Sequence, residues 1–115
     1  MKRIRIFLIG LFLSLPCTAA FAQAIQSFTF VNITGQATTV VRTGNGVLHT
    51  VCLNKPTATE TIAMYDGSAA TGTLIGTITI PASPQPGCMI YDIGYGTSLT
   101  IVTATASSDI TVSYR

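Results

Sequence analysis

Residues Thr73 to Ile80 read Thr-Leu-Ile-Gly-Thr-Ile-Thr-Ile, a run in which polar and apolar side chains trade places and β-branched residues dominate. On an extended chain successive side chains point to opposite faces, so such a run buries one face and leaves the other to water or a partner. Leu74, Ile78 and Ile80 are expected on the core side, with Thr77 and Thr79 outside. The segment Asp109 to Arg115 repeats the pattern with Ile110, Val112 and Tyr114. Thr, Val and Ile are stiff at the first side-chain torsion and suit a pleated surface better than a helix. No stretch after residue 22 places apolar residues at i, i+3, i+4 and i+7 over three turns, so no helix is expected there.

Eight short strands are predicted: Gln26–Ile33, Ala37–Arg42, Val47–Leu53, Thr61–Tyr65, Thr73–Ile80, Met89–Gly94, Ser98–Thr103 and Ile110–Tyr114. Turn residues separate them. Gly44-Asn45-Gly46 tolerates positive φ, and Asp66-Gly67-Ser68 opens a polar loop that ends at Gly72. Pro81, Pro84 and Pro86 withhold ladder donors, which makes the segment around them a surface loop. Many short strands at this spacing predict an all-β chain, a β-sandwich or a small barrel.

The N-terminus reads as a targeting segment. Lys2, Arg3 and Arg5 precede the apolar run Ile6 to Leu15, broken by Pro16, and Ala20-Phe21-Ala22 places small residues at a peptidase site. A signal peptide of residues 1–22 is expected, cut between Ala22 and Gln23, with cleavage after Ala20 or Ala24 as alternatives. About ten helical residues reach only roughly 15 Å, half of a hydrocarbon core of about 30 Å, so a permanent anchor is disfavoured. Lipidation at Cys17 is disfavoured by the proline before it. The expected location is periplasmic or extracellular.

Residues 23–115 then form a single domain. They keep Arg42, Lys55 and Arg115 against Glu60, Asp66, Asp92 and Asp109, a net charge of −1 with His49 neutral. So nearly neutral a domain has no electrostatic footprint for nucleic acid or an anionic membrane. A core this small is marginal alone. Two cysteines remain, Cys52 and Cys88, and an oxidising compartment lets them pair; the alternative is two separate buried thiols. A bridge closing a loop of this size would contribute about 4 kcal/mol by the chain-entropy estimate.

The inventory for catalysis is thin. His49 is the only histidine, so a Ser-His-Asp arrangement would have to be built around it; a strand histidine bonded to a neighbour is the simpler expectation. The four carboxylates fall in four segments. Asp66 lacks the acidic neighbours of a calcium loop and reads first as a turn residue. Two cysteines and one histidine without C-x-x-C spacing do not make a zinc site. No enzyme activity, cofactor or metal is expected. Asn32-Ile33-Thr34 matches a glycosylation pattern that often occurs by chance. Tyr65, Tyr91 and Tyr95, with Asp66, are candidates for a binding surface, because exposed tyrosines stack on sugars or anchor interfaces; the competing expectation for Met89, Tyr91, Ile93 and Tyr95 is that they face the core.

The blocks Gly46–Val51, Thr61–Asp66, Gly72–Ile78, Ile90–Ile93, Ser98–Thr103 and Asp109–Arg115 resemble a small domain common in tailed bacteriophages. Such domains are virion structural proteins of head-fibre, decoration or tail-accessory type. The resemblance covers roughly Gln36 to Arg115. It implies an antiparallel β-sandwich of jelly-roll-like type that assembles with itself, often as a homotrimer, in a structural or adhesive role, with a cell-surface, glycan or virion component as partner. The leader and the cysteine pair suit a redeployed, exported module better than a particle built in the cytoplasm. A prophage virion protein with a vestigial leader is the alternative, and a small secreted enzyme or inhibitor a further one.

Overall fold

Strand alternation decides which side chains turn inward, and the computed structural model shows how the faces meet. It describes residues 27–104 and 108–115; the leader, its cleavage sites and the expected strand start at Gln26 lie outside them. Among the described residues eight strands form: β1 Thr29–Thr34, β2 Ala37–Thr43, β3 Gly46–Lys55, β4 Thr61–Asp66, β5 Thr73–Thr79, β6 Gly87–Tyr95, β7 Ser98–Thr103 and β8 Asp109–Tyr114. They pair antiparallel in two four-stranded sheets of order β1-β8-β3-β6 and β2-β7-β4-β5. The fold is the all-β sandwich that the period-two pattern requires.

The core lies between the sheets. Leu48 and Val51 of β3 and Ile110 and Val112 of β8 face Ile62 and Met64 of β4 and Leu99 and Ile101 of β7, all fully buried. Burying an aliphatic side chain of this size contributes about 1.5–3 kcal/mol. The four strands that carry them are the inner strands of their sheets, which is why they hold the densest apolar sets. At the corners Gly35 and Gly44, with φ of 89° and 95°, let the chain step from one sheet to the other.

Two irregularities change the faces read from sequence. Between β4 and β5 the register shifts: Met64 pairs with Gly76 but Tyr65 pairs with Leu74, leaving Ile75 extra. The bulge reverses the alternation. Leu74, expected in the core, is therefore exposed, and Ile75 packs against the core instead. Ile78 and Ile80 are buried as the alternation predicts. In β6, Tyr91 and Asp92 together oppose His49, and Asp92 takes the left-handed conformation with φ of 48°.

Candidate assembly rims and binding surfaces

Sheet order leaves four edge strands: β1 and β2 along one rim of the sandwich, β6 and β5 along the opposite rim. On its open side each edge strand carries backbone N–H and C=O groups without a ladder partner among the described residues. Natural edges are commonly blunted by lysine, proline or inward-pointing charge. Here the only charged side chains within these four strands are Arg42 and Asp92. The large apolar side chains that stay exposed are Phe28, just before β1, Phe30 on β1, Val40 on β2, Leu74 on β5, and Ile90 and Ile93 on β6. Phe30 and Ile90 are 73% and 72% exposed. Every one of them lies on or beside an edge strand, and none on β3, β4, β7 or β8.

The outer face of the first sheet carries the disulfide. Cys52 and Cys88 are direct partners in the β3–β6 register, with Cα atoms 3.9 Å apart, and their sulfurs are bonded. The alternative of two separate thiols does not hold. Next to the bridge, Asn54 donates to Asp109 at 3.0 Å and to Thr111 at 2.8 Å, and Asn32 donates to Asp109 at 2.6 Å. These bonds, Asn54 first and Asn32 second, hold the Asp109 carboxyl below the usual range; Lys55 adds to the effect. Asn32, the residue of the glycosylation pattern, has its amide nitrogen engaged in this network.

His49 sits at the β6 bulge, its Nδ1 2.5 Å from Asp92 Oδ1. Its ring stacks on Phe28, with centroids 4.1 Å apart and 20° between planes, and the Arg115 guanidinium lies over the same phenyl ring at 5.1 Å. An imidazole oriented by a carboxylate is two parts of a triad. A serine or threonine hydroxyl bonded to the imidazole is not found among the described residues.

The proposed tyrosine surface is taken apart by the bulge and by burial. Tyr95 is 4% exposed and part of the core. Tyr91 is half-buried and packs across the sheets beside Gly76. Burial pushes both hydroxyls up in pKa. Tyr65 is half-buried on β4. Asp66 instead closes the β6–β7 turn: Oδ2 accepts from the Gly96 N–H at 2.7 Å, and Oδ1 from the Thr97 and Ser98 N–H groups at 2.8 and 3.3 Å. The Gly96 bond, followed by that from Thr97, holds its carboxyl below the ordinary range. Tyr91, Tyr95, Tyr65 and Asp66 do not gather on one open surface.

Sequence reasoning missed Glu60. It is fully buried in the β3–β4 connection, one residue after Thr59, whose φ of 63° is unusual for a β-branched residue. Its Oε2 accepts from the Ser108 hydroxyl, itself buried, and its Oε1 has no partner among the described residues. A lone glutamate in a polar segment reads as surface, so nothing in the sequence flagged it. No group of three His, Cys, Asp or Glu side chains suited to a metal occurs among the described residues.

Two four-stranded antiparallel sheets in these orders, with the chain passing from one to the other at most connections, define the jelly roll. The chain is similar to a solved structure described as "Bacillus endospore appendages form a novel family of disulfide-linked pili", with 16% identity, a TM-score of 0.50, and 76% of this chain and 84% of that one covered. At that identity the likeness shows the fold. No family model and no curated protein matches.

Proposed function

We propose that this chain is an exported, non-enzymatic structural subunit that joins further copies of itself through the rims of its sheets to build an extracellular appendage or coat. The observation that carries this reading is the confinement of the exposed large apolar side chains to the edge strands, on strands almost free of charge. Pairing an edge with another chain satisfies its backbone and buries those side chains in one step. The two rims differ in sequence and lie on opposite sides, so the contact is head-to-tail. Such contacts close into a ring, of which a homotrimer is the smallest common form, or run on as a filament. The similar structure comes from a pilus, and the closed Cys52–Cys88 bridge favours a compartment outside the cytoplasm.

The strand blocks that resemble phage virion modules favour a second reading, a prophage virion component that uses the same rims. One experiment separates the two. Cells producing the full chain are fractionated, and the pelletable surface material and any phage particles are imaged by electron microscopy and analysed by mass spectrometry. The appendage reading expects polymers outside the cell whose subunits begin at Gln23. An intact N-terminus inside virus particles moves the assignment to the phage reading, and a free cytoplasmic monomer contradicts both.

A further inference from the structure

At one end of the sandwich, where the turn between β2 and β3 meets the starts of β1 and the end of β8, lies an open groove of about 560 Å³. Its polar lining comes from Ser27, Thr29, Arg42, Asn45 and Arg115, with no carboxylate side chain among the lining residues. Arg42 and Arg115 are two of the three cationic Lys and Arg residues in the described part of the chain, and neither forms an ion pair with an Asp or Glu there. The Arg115 guanidinium rests over the Phe28 ring at 5.1 Å, and Arg42 is exposed.

A second, independent feature points to the same place. The Tyr95 hydroxyl is buried and has no hydrogen-bond partner among the described residues. It lies against Gly46, a lining residue of the groove, together with the Arg115 carbonyl. Arg42 is near enough to act on it: burial raises the Tyr95 pKa and the Arg42 charge opposes that rise. A buried hydroxyl left unpaired is costly, and buried polar groups without partners are rare in native folds.

The geometry points to a binding site for an oxyanion carried on a hydroxylated polymer, a phosphate or uronate group of a surface glycan. The two guanidinium groups meet the anion, Asn45, Ser27 and Thr29 exchange hydrogen bonds with the neighbouring hydroxyls, and Tyr95 gains an acceptor beneath them. The groove has the volume of an ordinary small-ligand site, roughly 300–1,000 Å³. Nucleic acid is a poor occupant, because residues 23–115 carry a net charge of −1 and offer no extended basic surface. The lining needs no second copy, but Thr29 of β1 and Arg42 of β2 lie on a rim used in the assembly proposed above, so binding is read on the unassembled chain.

The test is a titration of the purified protein, followed by amide NMR shifts, with inorganic phosphate, a uronate oligosaccharide, a neutral oligosaccharide of equal length and an acidic peptide. Phosphate or uronate is expected to shift the amides of Asn45, Gly46, Val47 and Arg115, with an affinity that falls as salt is added; the stronger of the two names the source. Arg42→Gln, and separately Arg115→Gln, should weaken binding about tenfold. Tyr95→Phe should weaken it severalfold while the thermal midpoint stays level or rises. The proposal is overturned if neither anion shifts these amides, if the neutral sugar or the acidic peptide binds as well, or if Arg42→Gln leaves the affinity unchanged.

Discussion

Cys52 and Cys88 face each other across the β3–β6 ladder and are bonded, so the disulfide ties an inner strand to an edge strand of the same sheet. It holds β6 in place at the end of β6 that follows the proline-rich loop. The bulge at His49 and Asp92 interrupts the ladder further along the same pair.

The bridge should therefore be a large part of the domain's stability. Replacing Cys52 and Cys88 by Ala is expected to cost up to about 4 kcal/mol, read as the change in unfolding free energy in denaturant. The same loss should appear in the unaltered protein when reductant is added.

Acid should weaken the fold through Asp66. Its carboxylate is bonded to three N–H groups in the folded chain and to none in the unfolded one, so its proton affinity is lower when folded. Stability from this group is full above the ordinary Asp range and is lost as pH falls through the lowered folded value. Thermal midpoints measured below about pH 4 should drop, and Asp66→Asn should be less stable than wild type at neutral pH yet nearly level with it in strong acid.

Glu60 and Ser108 give two substitutions of unequal cost. Ser108→Ala leaves both carboxylate oxygens without a described partner and is expected to destabilise by about 1–3 kcal/mol. Glu60→Gln keeps an acceptor for Ser108 and should cost less than Ser108→Ala when both are compared by unfolding at neutral pH.

Gly46 allows no side chain. A Cβ there would meet the Arg115 carbonyl and the Tyr95 hydroxyl. Gly46→Ala is expected to destabilise by about 1–3 kcal/mol, the usual cost of overpacking, when compared by thermal unfolding with Gly87→Ala, where the space is open.

Strands were legible in the sequence because burial on a pleated sheet has a period of two, and Val112, Ile110 and Ile78 obeyed it. Leu74 did not, because a bulge depends on the register with β4, which a local pattern does not encode. The cysteine pair was legible from composition and compartment. The binding surface was not: Tyr95 fills the core, as its competing expectation had it, and Asp66, read first as a turn residue, caps a turn formed thirty residues away. Glu60 is buried by a partner in β8's approach, a long-range contact that its neighbours do not announce. The rims depend on which strand ends up outermost, and that follows from the order of pairing and not from any single strand.

The rim account is tested most directly by light scattering after size exclusion, comparing the wild-type protein with Leu74→Lys and Ile90→Lys. Both side chains are exposed in the single chain, so the substitutions should change its unfolding free energy by no more than about 0.5 kcal/mol. The account expects wild-type protein to form oligomers or filaments that grow with concentration and both variants to run as monomers. A wild type that stays monomeric at every concentration, or variants that assemble as wild type does, would contradict it.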